Sequence, residues 1–364
     1  MKRHNRLKKH TLGPAALLVT AGMSQIALAG DSVYVNTSSL RYRTSAQIKD
    51  NNIAGNLSYG QKLERVGTSG QWTMILLNGK KYYVSSAYVT SKKPASAGAV
   101  QTTSQTAAGA QTSGGTAIAL SSNYKYANYS KINSGTATLY RSTASNKKNK
   151  VVCVNAGHGT NGGGSVKTQC HPDGSAKVTG GTTGAGATSA VAVSSGMTFA
   201  DGTAESKVTL AMAKVLKTKL LNAGYDVLMI RESDDVQLDN IARTVIANNN
   251  ADCHIALHWD STSSNKGAFF MSVPSNATYR AMEPVASHWK QHNQLGESLI
   301  SGLKSAGVKI YSKGSMEMDL TQTSYSTIPS VDIELGDKAS DHSGATLETL
   351  ANGLLTGVNT FFGQ

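Results

Sequence analysis

Val-Val-Cys-Val-Asn-Ala-Gly-His-Gly, residues 151–159, begins as an unbroken apolar run and ends with a histidine between two glycines. A short apolar run without alternation is typical of a strand that is buried on both faces of a sheet. The glycines allow the backbone to turn sharply after the strand, which exposes the imidazole of His158. The stretch therefore predicts a buried strand with a functional histidine just past its carboxyl end.

The residues that follow alternate between helical and strand patterns. A stripe of apolar residues predicts a helix over residues 205–222, which Gly224 terminates. Further strands are predicted at 225–230, 253–257 and 330–335, and further helices at 238–248 and 284–305. This alternation predicts an α/β domain with a mostly parallel sheet and helices on both faces.

Three potential metal ligands occupy the positions where such a sheet binds ligands, at the carboxyl ends of its strands. His158 follows the first strand, His258 follows the strand 253–257, and Glu205 begins a helix after a long loop. Two imidazoles and one carboxylate leave a fourth zinc position open for water, as a hydrolytic site requires. We therefore predict one Zn²⁺ ion bound by His158, Glu205 and His258.

An acidic residue near the end of the last apolar strand completes the predicted site. Glu334 lies in the segment Pro-Ser-Val-Asp-Ile-Glu-Leu-Gly, residues 329–336, where burial of a carboxylate is costly unless it faces a site. A carboxylate beside an activated water is the usual general base, and later the acid that protonates the leaving amine. We therefore predict that Glu334 is catalytic.

Four segments taken in this order resemble the zinc-dependent N-acetylmuramoyl-L-alanine amidases: 151–159, 205–221, 238–258 and 329–336. The resemblance covers about residues 150–362. It implies a hydrolase that cuts the amide bond between the lactyl group of N-acetylmuramic acid and L-alanine in peptidoglycan. It also implies that His158, Glu205 and His258 bind zinc and that Glu334 is the catalytic carboxylate.

The chain departs from the family pattern in two places. Asn155 stands where the family usually has aspartate, which changes the surroundings of the metal ligands. His158 and Glu205 are much further apart than is usual, because an insertion rich in Gly, Thr, Ser and Ala occupies about residues 161–202. Such a loop forms a lid, a wall for the substrate or a simple decoration, and long loops inside compact domains are often functional.

Residues 30–91 show a different pattern, with short strands separated by Gly, Asn and Ser turns and a hairpin signal at Asn78-Gly79. The segments 40–43, 70–72 and 83–89 resemble a bacterial SH3-like domain. The resemblance implies a small all-β barrel that binds cell-wall peptides or polymers. Residues 92–149 are predicted as a flexible linker and connector, because Ala, Ser, Thr and Gly dominate its first part. The catalytic domain is predicted over residues 150–364.

The first 29 residues combine a basic stretch, an apolar stretch and a final Ala-Leu-Ala, the pattern of a secretory signal peptide rather than a membrane anchor. The net charge is +13, and loss of the five basic residues in this segment would leave +8. We therefore expect a secreted, cell-wall-associated protein with no membrane span after signal removal. Its expected partners are peptidoglycan and anionic wall polymers rather than nucleic acid.

Other interpretations of the same residues stay open. A zinc peptidase acting within the stem peptide, or a non-catalytic wall-binding protein with the same fold, would show a similar pattern. Among the remaining histidines, we predict that His254 is a core residue and that His288 and His292 lie on a solvated helix face. Cys170-His171 is not predicted to bind zinc, and Cys153 and Cys253 are predicted as small core residues.

Overall fold

The computed structural model of the protein describes residues 31–36, 39–47, 52–58, 60–93 and 114–364. The chain divides into two compact units, residues 1–106 and 107–364. The predicted signal peptide at 1–29 and residues 94–113 of the predicted linker lie outside the described residues. In the described part of the chain, no helix is both long enough and apolar enough to cross a bilayer.

The first unit is a seven-stranded antiparallel sheet with the strand order β3-β2-β6-β5-β4-β1-β7. The predicted turn at Asn78-Gly79 joins β5 to β6, and both residues have positive φ, as a tight hairpin requires. One apolar cluster, which includes Val35, Ile75 and Val84, forms its core. The strands are β1 Asp31–Val35, β2 Ser39–Arg43, β3 Ile53–Ser58, β4 Lys62–Ser69, β5 Trp72–Leu77, β6 Lys80–Ser85 and β7 Val89–Thr90.

The second unit contains an eight-stranded sheet with the order β16-β15-β17-β14-β10-β13-β9-β8, and a separate two-stranded sheet, β11-β12. The strands are β8 Thr116–Ala119, β9 Thr136–Tyr140, β10 Val151–Ala156, β11 Lys167–Gln169, β12 Ser189–Val191, β13 Asp226–Met229, β14 Cys253–Asp260, β15 Ala268–Ser272, β16 Ile310–Glu317 and β17 Ser330–Asp337. The helices are α1 Glu205–Asn222, α2 Asn240–Asn250, α3 Ala277–Ala281, α4 Val285–Ser305, α5 Thr321–Tyr325 and α6 Gly344–Phe362.

The large sheet is mixed, with a parallel centre and antiparallel pairings toward both edges. Strands β13, β10, β14 and β17 are mutually parallel in that spatial order, as the sequence predicts. In contrast, β15 runs antiparallel to β17, and β9 runs antiparallel to both β13 and β8. At one edge, β15 and β16 are parallel to each other. Four of the seven pairings are therefore parallel, including all of those between the strands that carry the candidate ligands, and the three antiparallel pairings lie toward the edges.

Strands β8 and β9 lie within the range predicted as linker and connector. Strand β9 pairs with β13 and β8 pairs with β9 at the edge of the sheet, so these two segments of the predicted linker are part of the folded unit. The reason is that an edge strand needs few bulky apolar residues. Ala137 is fully buried, and Ile118 packs against the same cluster, although the surrounding composition is that of a linker.

Helices cover both faces of the sheet, as predicted. Val152 and Val154 of β10 belong to a large apolar cluster with α1, α4 and α6. Cys153, between them, points to the other face and packs with Ala242 and Ile246 of α2. Because both faces are covered, β10 is apolar at every position from 151 to 154 rather than at every second one.

Two predictions about the remaining histidines have different outcomes. His254 is fully buried in β14, which confirms it as a core residue. The prediction of a solvated face for His292 is wrong, because the side chain is only 2% exposed and its Nδ1 accepts a hydrogen bond from the Ser330 amide at 3.0 Å. His292 lies three and seven residues before Leu295 and Leu299, so it shares the helix face that packs on the sheet. Cys153 and Cys253 are buried and not disulfide-bonded.

Candidate metal centre

His158, Glu205 and His258 converge at the carboxyl ends of β10 and β14. Their donor atoms all lie within 4.8 Å of one another. His158 Nε2 is 2.8 Å from Glu205 Oε1, and His258 Nδ1 is 3.1 Å from His158 Nε2 and 3.2 Å from Glu205 Oε1. The three atoms that face a common point are therefore one Nε2, one Nδ1 and one carboxylate oxygen. This is the set of residues that the sequence predicts as a metal site.

The loop that carries His158 has an unusual backbone. His158 itself has φ of 63°, a region that non-glycine residues rarely adopt and that often marks a functional site. A Cβ on Gly157 would lie 2.2 Å from the His258 ring, so only glycine allows the two imidazoles to approach. The two glycines predicted to expose the histidine thus have a steric role as well, since Gly159 makes a similar close approach to Arg231.

Two buried arginines hold this loop. Arg231 donates to the carbonyl oxygens of Ala156 and Gly157, and Arg243 donates to the carbonyl of His158 at 2.6 Å. Arg243 also donates to Asn155 Oδ1 at 3.1 Å, so the asparagine that departs from the family pattern accepts a hydrogen bond from the same cation. Burial and the neighbouring Arg231 lower the pKa of Arg243 to about 9. These bonds leave the strained loop little freedom to relax.

Glu205 is the first residue of α1, and each of its two oxygens has a defined role. Oε1 faces the two histidines and accepts a hydrogen bond from the Trp259 amide at 3.0 Å, while Oε2 accepts from the Met197 amide at 2.9 Å. Burial alone would raise the pKa of Glu205, but the hydrogen bonds from His158 and His258 outweigh it and hold the pKa well below its usual range. The carboxylate is therefore ionised and fixed, as a metal ligand should be.

The C-terminal end of the 161–202 insertion also supports the ligands. His158 Nδ1 is 2.8 Å from the Ser194 carbonyl oxygen, and the Met197 amide binds Glu205. Gly196 lies between them with φ of +81°, and a Cβ there would be 2.7 Å from His158 Cδ2 and 2.8 Å from Glu205 Oε2. Sequence reasoning missed these contacts, since backbone groups have no residue-specific signal.

Two carboxylates of β17 face the same cleft. Glu334 is paired in register with His258 on the adjacent parallel strand and is 9% exposed, and its Oε2 atom has no hydrogen-bond partner among the residues that the structure describes. Asp332, two residues earlier and on the same face, has its Oδ2 3.6 Å from His258 Nε2. Burial and the charge of Asp332 raise the pKa of Glu334. Burial by itself would lower the pKa of His258, but Asp332 and Glu205 raise it to about 10.

Asp332 is a site residue that the sequence analysis did not single out. The sequence does contain an indication for Asp332. Residues two apart on a strand point to the same face, and Glu334 is predicted to face the cleft. Which neighbour Asp332 meets depends on the register between β14 and β17, in which Ala256 pairs with Asp332 and His258 with Glu334.

These residues line an open cleft of about 510 Å³. The insertion forms one wall, and residues of α2, β14, α5 and β17 form the rest. The insertion is held by a buried carboxylate, Asp319, which accepts hydrogen bonds from the amides of Val178 and Thr179 and from the side chains of His171 and Lys177. Of the three roles considered for the insertion (a lid, a wall for the substrate or a decoration), these contacts favour a wall of the cleft.

The donor set fits zinc. Two imidazole nitrogens and one carboxylate oxygen, all deeply placed and open to a cleft on one side, are the ligands of hydrolytic zinc sites. His158 and Glu205 are also held by hydrogen bonds from outside the cluster, as the ligands of such metals usually are. His171 and Cys170 are not part of this cluster.

Residues 152–352, more than half of the chain, match the Amidase_3 family, described as N-acetylmuramoyl-L-alanine amidase. No curated protein matches the chain. Among solved structures, the amidase Ami1 from Mycobacterium smegmatis is 18% identical, with 60% of this chain and 99% of that chain covered and a TM-score of 0.49.

Two further structures are similar to the chain at the same level. The amidase AmiC2 of Nostoc punctiforme is 15% identical, covering 60% of this chain and 99% of its own, with a TM-score of 0.42. An N-acetylmuramoyl-L-alanine amidase from Clostridium difficile 630 is 16% identical, covering 59% and 97%, also with a TM-score of 0.42. At these values the assignment rests on the family match alone. On that match, the chain belongs to the N-acetylmuramoyl-L-alanine amidase family and is a peptidoglycan amidase.

Proposed function

We propose that this amidase is a secreted zinc enzyme in which His158, Glu205 and His258 hold one Zn²⁺ ion and Glu334 is the catalytic carboxylate. The observation that supports the metal site is the convergence of one Nε2, one Nδ1 and one carboxylate oxygen within 4.8 Å at the floor of a cleft. The observation that supports Glu334 is its position beside His258, with a buried oxygen that has no partner among the described residues.

The chemistry follows from these positions. When bound, zinc supplies a Lewis acid that polarises the lactyl carbonyl and lowers the pKa of the attacking water. Glu334 accepts a proton from that water as its oxygen bonds to the carbonyl carbon. The carbon–nitrogen bond then breaks, and Glu334 returns the proton to the amine of L-alanine. The products are a free lactyl carboxylate and a stem peptide with a new amino terminus.

The other residues of the site keep this arrangement rigid. Arg231 and Arg243 bind the carbonyl oxygens of the His158 loop, so the first histidine cannot swing out of the cleft. The amides of Met197 and Trp259 fix both oxygens of Glu205. Such preorganisation matters because catalytic geometry must be kept within about 0.5 Å.

We propose a domain organisation in which the signal peptide occupies residues 1–29 and an SH3-like cell-wall-binding unit occupies 30–91. The described part of that unit is all-β with its own apolar core, which is compatible with this role. A tether then reaches about residue 115, and the catalytic unit follows. A tethered enzyme held on the wall, with its peptidoglycan and anionic polymers, would meet nearby substrate at a raised effective concentration.

The test is hydrolysis of purified peptidoglycan by the full chain, with and without a zinc chelator. We expect new amino termini of L-alanine, identified by mass spectrometry, and loss of activity in chelator that added Zn²⁺ restores. New reducing sugar would mean a glycosidase, and cleavage between stem residues would mean a peptidase. Activity that survives full removal of the metal would refute the zinc assignment.

A substitution separates the role of Glu334 from metal binding. The Glu334→Gln variant should bind one equivalent of zinc as the wild type does and lose about 10²–10⁴-fold in kcat, the usual contribution of a general base. A variant that retains wild-type kcat would show that another group moves the proton.

A further inference from the structure

The two histidines of the metal centre present different nitrogens to it. His158 directs Nε2 toward Glu205 at 2.8 Å, and His258 directs Nδ1 toward the same oxygen at 3.2 Å. A neutral imidazole that gives one nitrogen lone pair to a metal carries its proton on the other nitrogen. In His158 that proton is on Nδ1, and in His258 it is on Nε2. Each N–H therefore needs its own acceptor.

His158 has such an acceptor, because the Ser194 carbonyl oxygen is 2.8 Å from its Nδ1. For His258, the group that faces Nε2 is the carboxylate of Asp332, whose Oδ2 is 3.6 Å away. No hydrogen bond to this Nε2 is formed among the described residues, so Asp332 is the acceptor that the ring would reach by a small rotation. Hydrogen bonds of this kind are often long in unliganded sites and shorten when the site is filled.

The contacts that the described residues make with Asp332 do not explain why an acidic side chain stands at this position. It lies in the middle of a buried strand, and its Oδ1 is buried without a hydrogen-bond partner in the described part of the chain. The ion pairs formed by the described residues include no lysine or arginine at this carboxylate, and His258 is the base that it faces. A half-buried carboxylate with one fully buried oxygen and so little compensation costs stability, so its presence points to a role in the site.

We propose that Asp332 is a positioning residue, which accepts the Nε2 proton of His258 and thereby fixes the ring with Nδ1 toward the metal. The proposal rests on the metal site of the proposed function. The two histidines then have different hydrogen-bond acceptors: a neutral carbonyl orients His158, and an anion orients His258. An anionic partner also makes the imidazole a stronger donor to a metal cation.

The experiment measures the zinc dissociation constant of the full chain by competition with a chromophoric chelator. In Asp332→Leu the acceptor and the charge are both lost, and we expect zinc to bind about 10–100-fold more weakly, the usual cost of losing such a partner. In Asp332→Asn an acceptor oxygen remains, so the loss should be smaller. Absorption spectra of the Co²⁺-loaded proteins should show a changed ligand field in the leucine variant, which a merely structural role would not produce.

The matched control is Asp260→Asn. Asp260 is another carboxylate of the same cleft, but its Oδ2 is bound to Lys266 at 2.7 Å, and among the described residues it forms no hydrogen bond or ion pair with His158 or His258. Its loss removes a similar charge without removing a histidine partner, so zinc affinity should stay within about threefold. Thermal unfolding of the metal-free proteins checks that all variants fold.

Two results would overturn the proposal. One is a wild-type zinc affinity in Asp332→Leu, and the other is an equal loss of affinity in Asp260→Asn, which would show a general effect of charge. Both readouts concern metal binding and not the bond that is cut. A failure of the amidase chemistry, seen in the product analysis, is therefore distinguishable from a failure of this proposal.

Discussion

Replacement of Gly196 by alanine should weaken zinc binding, although this residue contributes no ligand atom. Gly196 belongs to the end of the insertion, where the backbone passes directly over the metal ligands. An added Cβ would lie 2.7 Å from His158 Cδ2 and 2.8 Å from Glu205 Oε2, closer than such atoms approach in proteins. The loop or the ligands must therefore shift.

The same loop contains a matched control for the backbone effect. Gly202 has φ of +85°, close to the +81° of Gly196, but an added Cβ there meets nothing within 4 Å. Alanine in this left-handed conformation costs about 1–2 kcal/mol, and both variants should lose at least that much stability. Gly196→Ala should in addition lose about 10–100-fold in zinc affinity, or about 1.4–2.8 kcal/mol, because it displaces two ligands.

Two measurements separate these effects. Thermal unfolding of the metal-free proteins reports the backbone cost, and chelator competition reports the zinc dissociation constant. Without metal, we expect Gly196→Ala to be at least as destabilised as Gly202→Ala, because the steric clash adds to the backbone cost. We also expect Gly196→Ala to bind zinc more weakly than Gly202→Ala. If Gly196→Ala bound zinc as tightly as Gly202→Ala, the close approach of the insertion to the metal ligands would not matter, and the reasoning would be refuted.

Two further predictions concern stability. Hydrogen bonds hold the pKa of Asp319 below its usual range despite burial. The ionised carboxylate therefore contributes fully to the free energy of unfolding above about pH 4, and this contribution is lost as the pH falls through the lower pKa of the folded state. Asp319→Asn should thus lose about 3–5 kcal/mol of unfolding free energy at pH 7, because it leaves Lys177 buried without its charge partner. Urea titrations should show a much smaller difference in unfolding free energy between the variant and the wild type in acid. Zinc at about 1,000 times its dissociation constant should raise the unfolding free energy by about 4 kcal/mol, seen in thermal scans. The His258→Ala variant should show little of this increase.

Local sequence patterns were sufficient to predict which residues form the candidate centre. His158 and His258 follow apolar strands and Glu205 begins a helix, and the parallel order of β10 and β14 brings these ends together. The structure gathers all three as expected. Their identities could be predicted because a strand end and a helix start are visible in a few neighbouring residues.

Features that depend on pairing or on composition could not be predicted in the same way. The role of Asp332 depends on the register of β14 against β17, which no local pattern fixes. Strand β8 has the small-residue composition of a linker, and only its pairing with β9 makes it part of the sheet. The pair His288 and His292, four apart on a helix, predicts a solvated face, whereas the apolar residues at helical spacing from His292 place it against the sheet.

The contacts of the insertion join the cleft wall to the metal centre. The middle of the loop is anchored at Asp319, and its C-terminal part holds His158 and Glu205 through the backbone of Ser194 and Met197. Whatever orders the wall therefore also orders two ligands of the ion. Linkage then requires reciprocity: a muramyl peptide that binds this wall should tighten zinc binding, and zinc should tighten the binding of the peptide by the same factor.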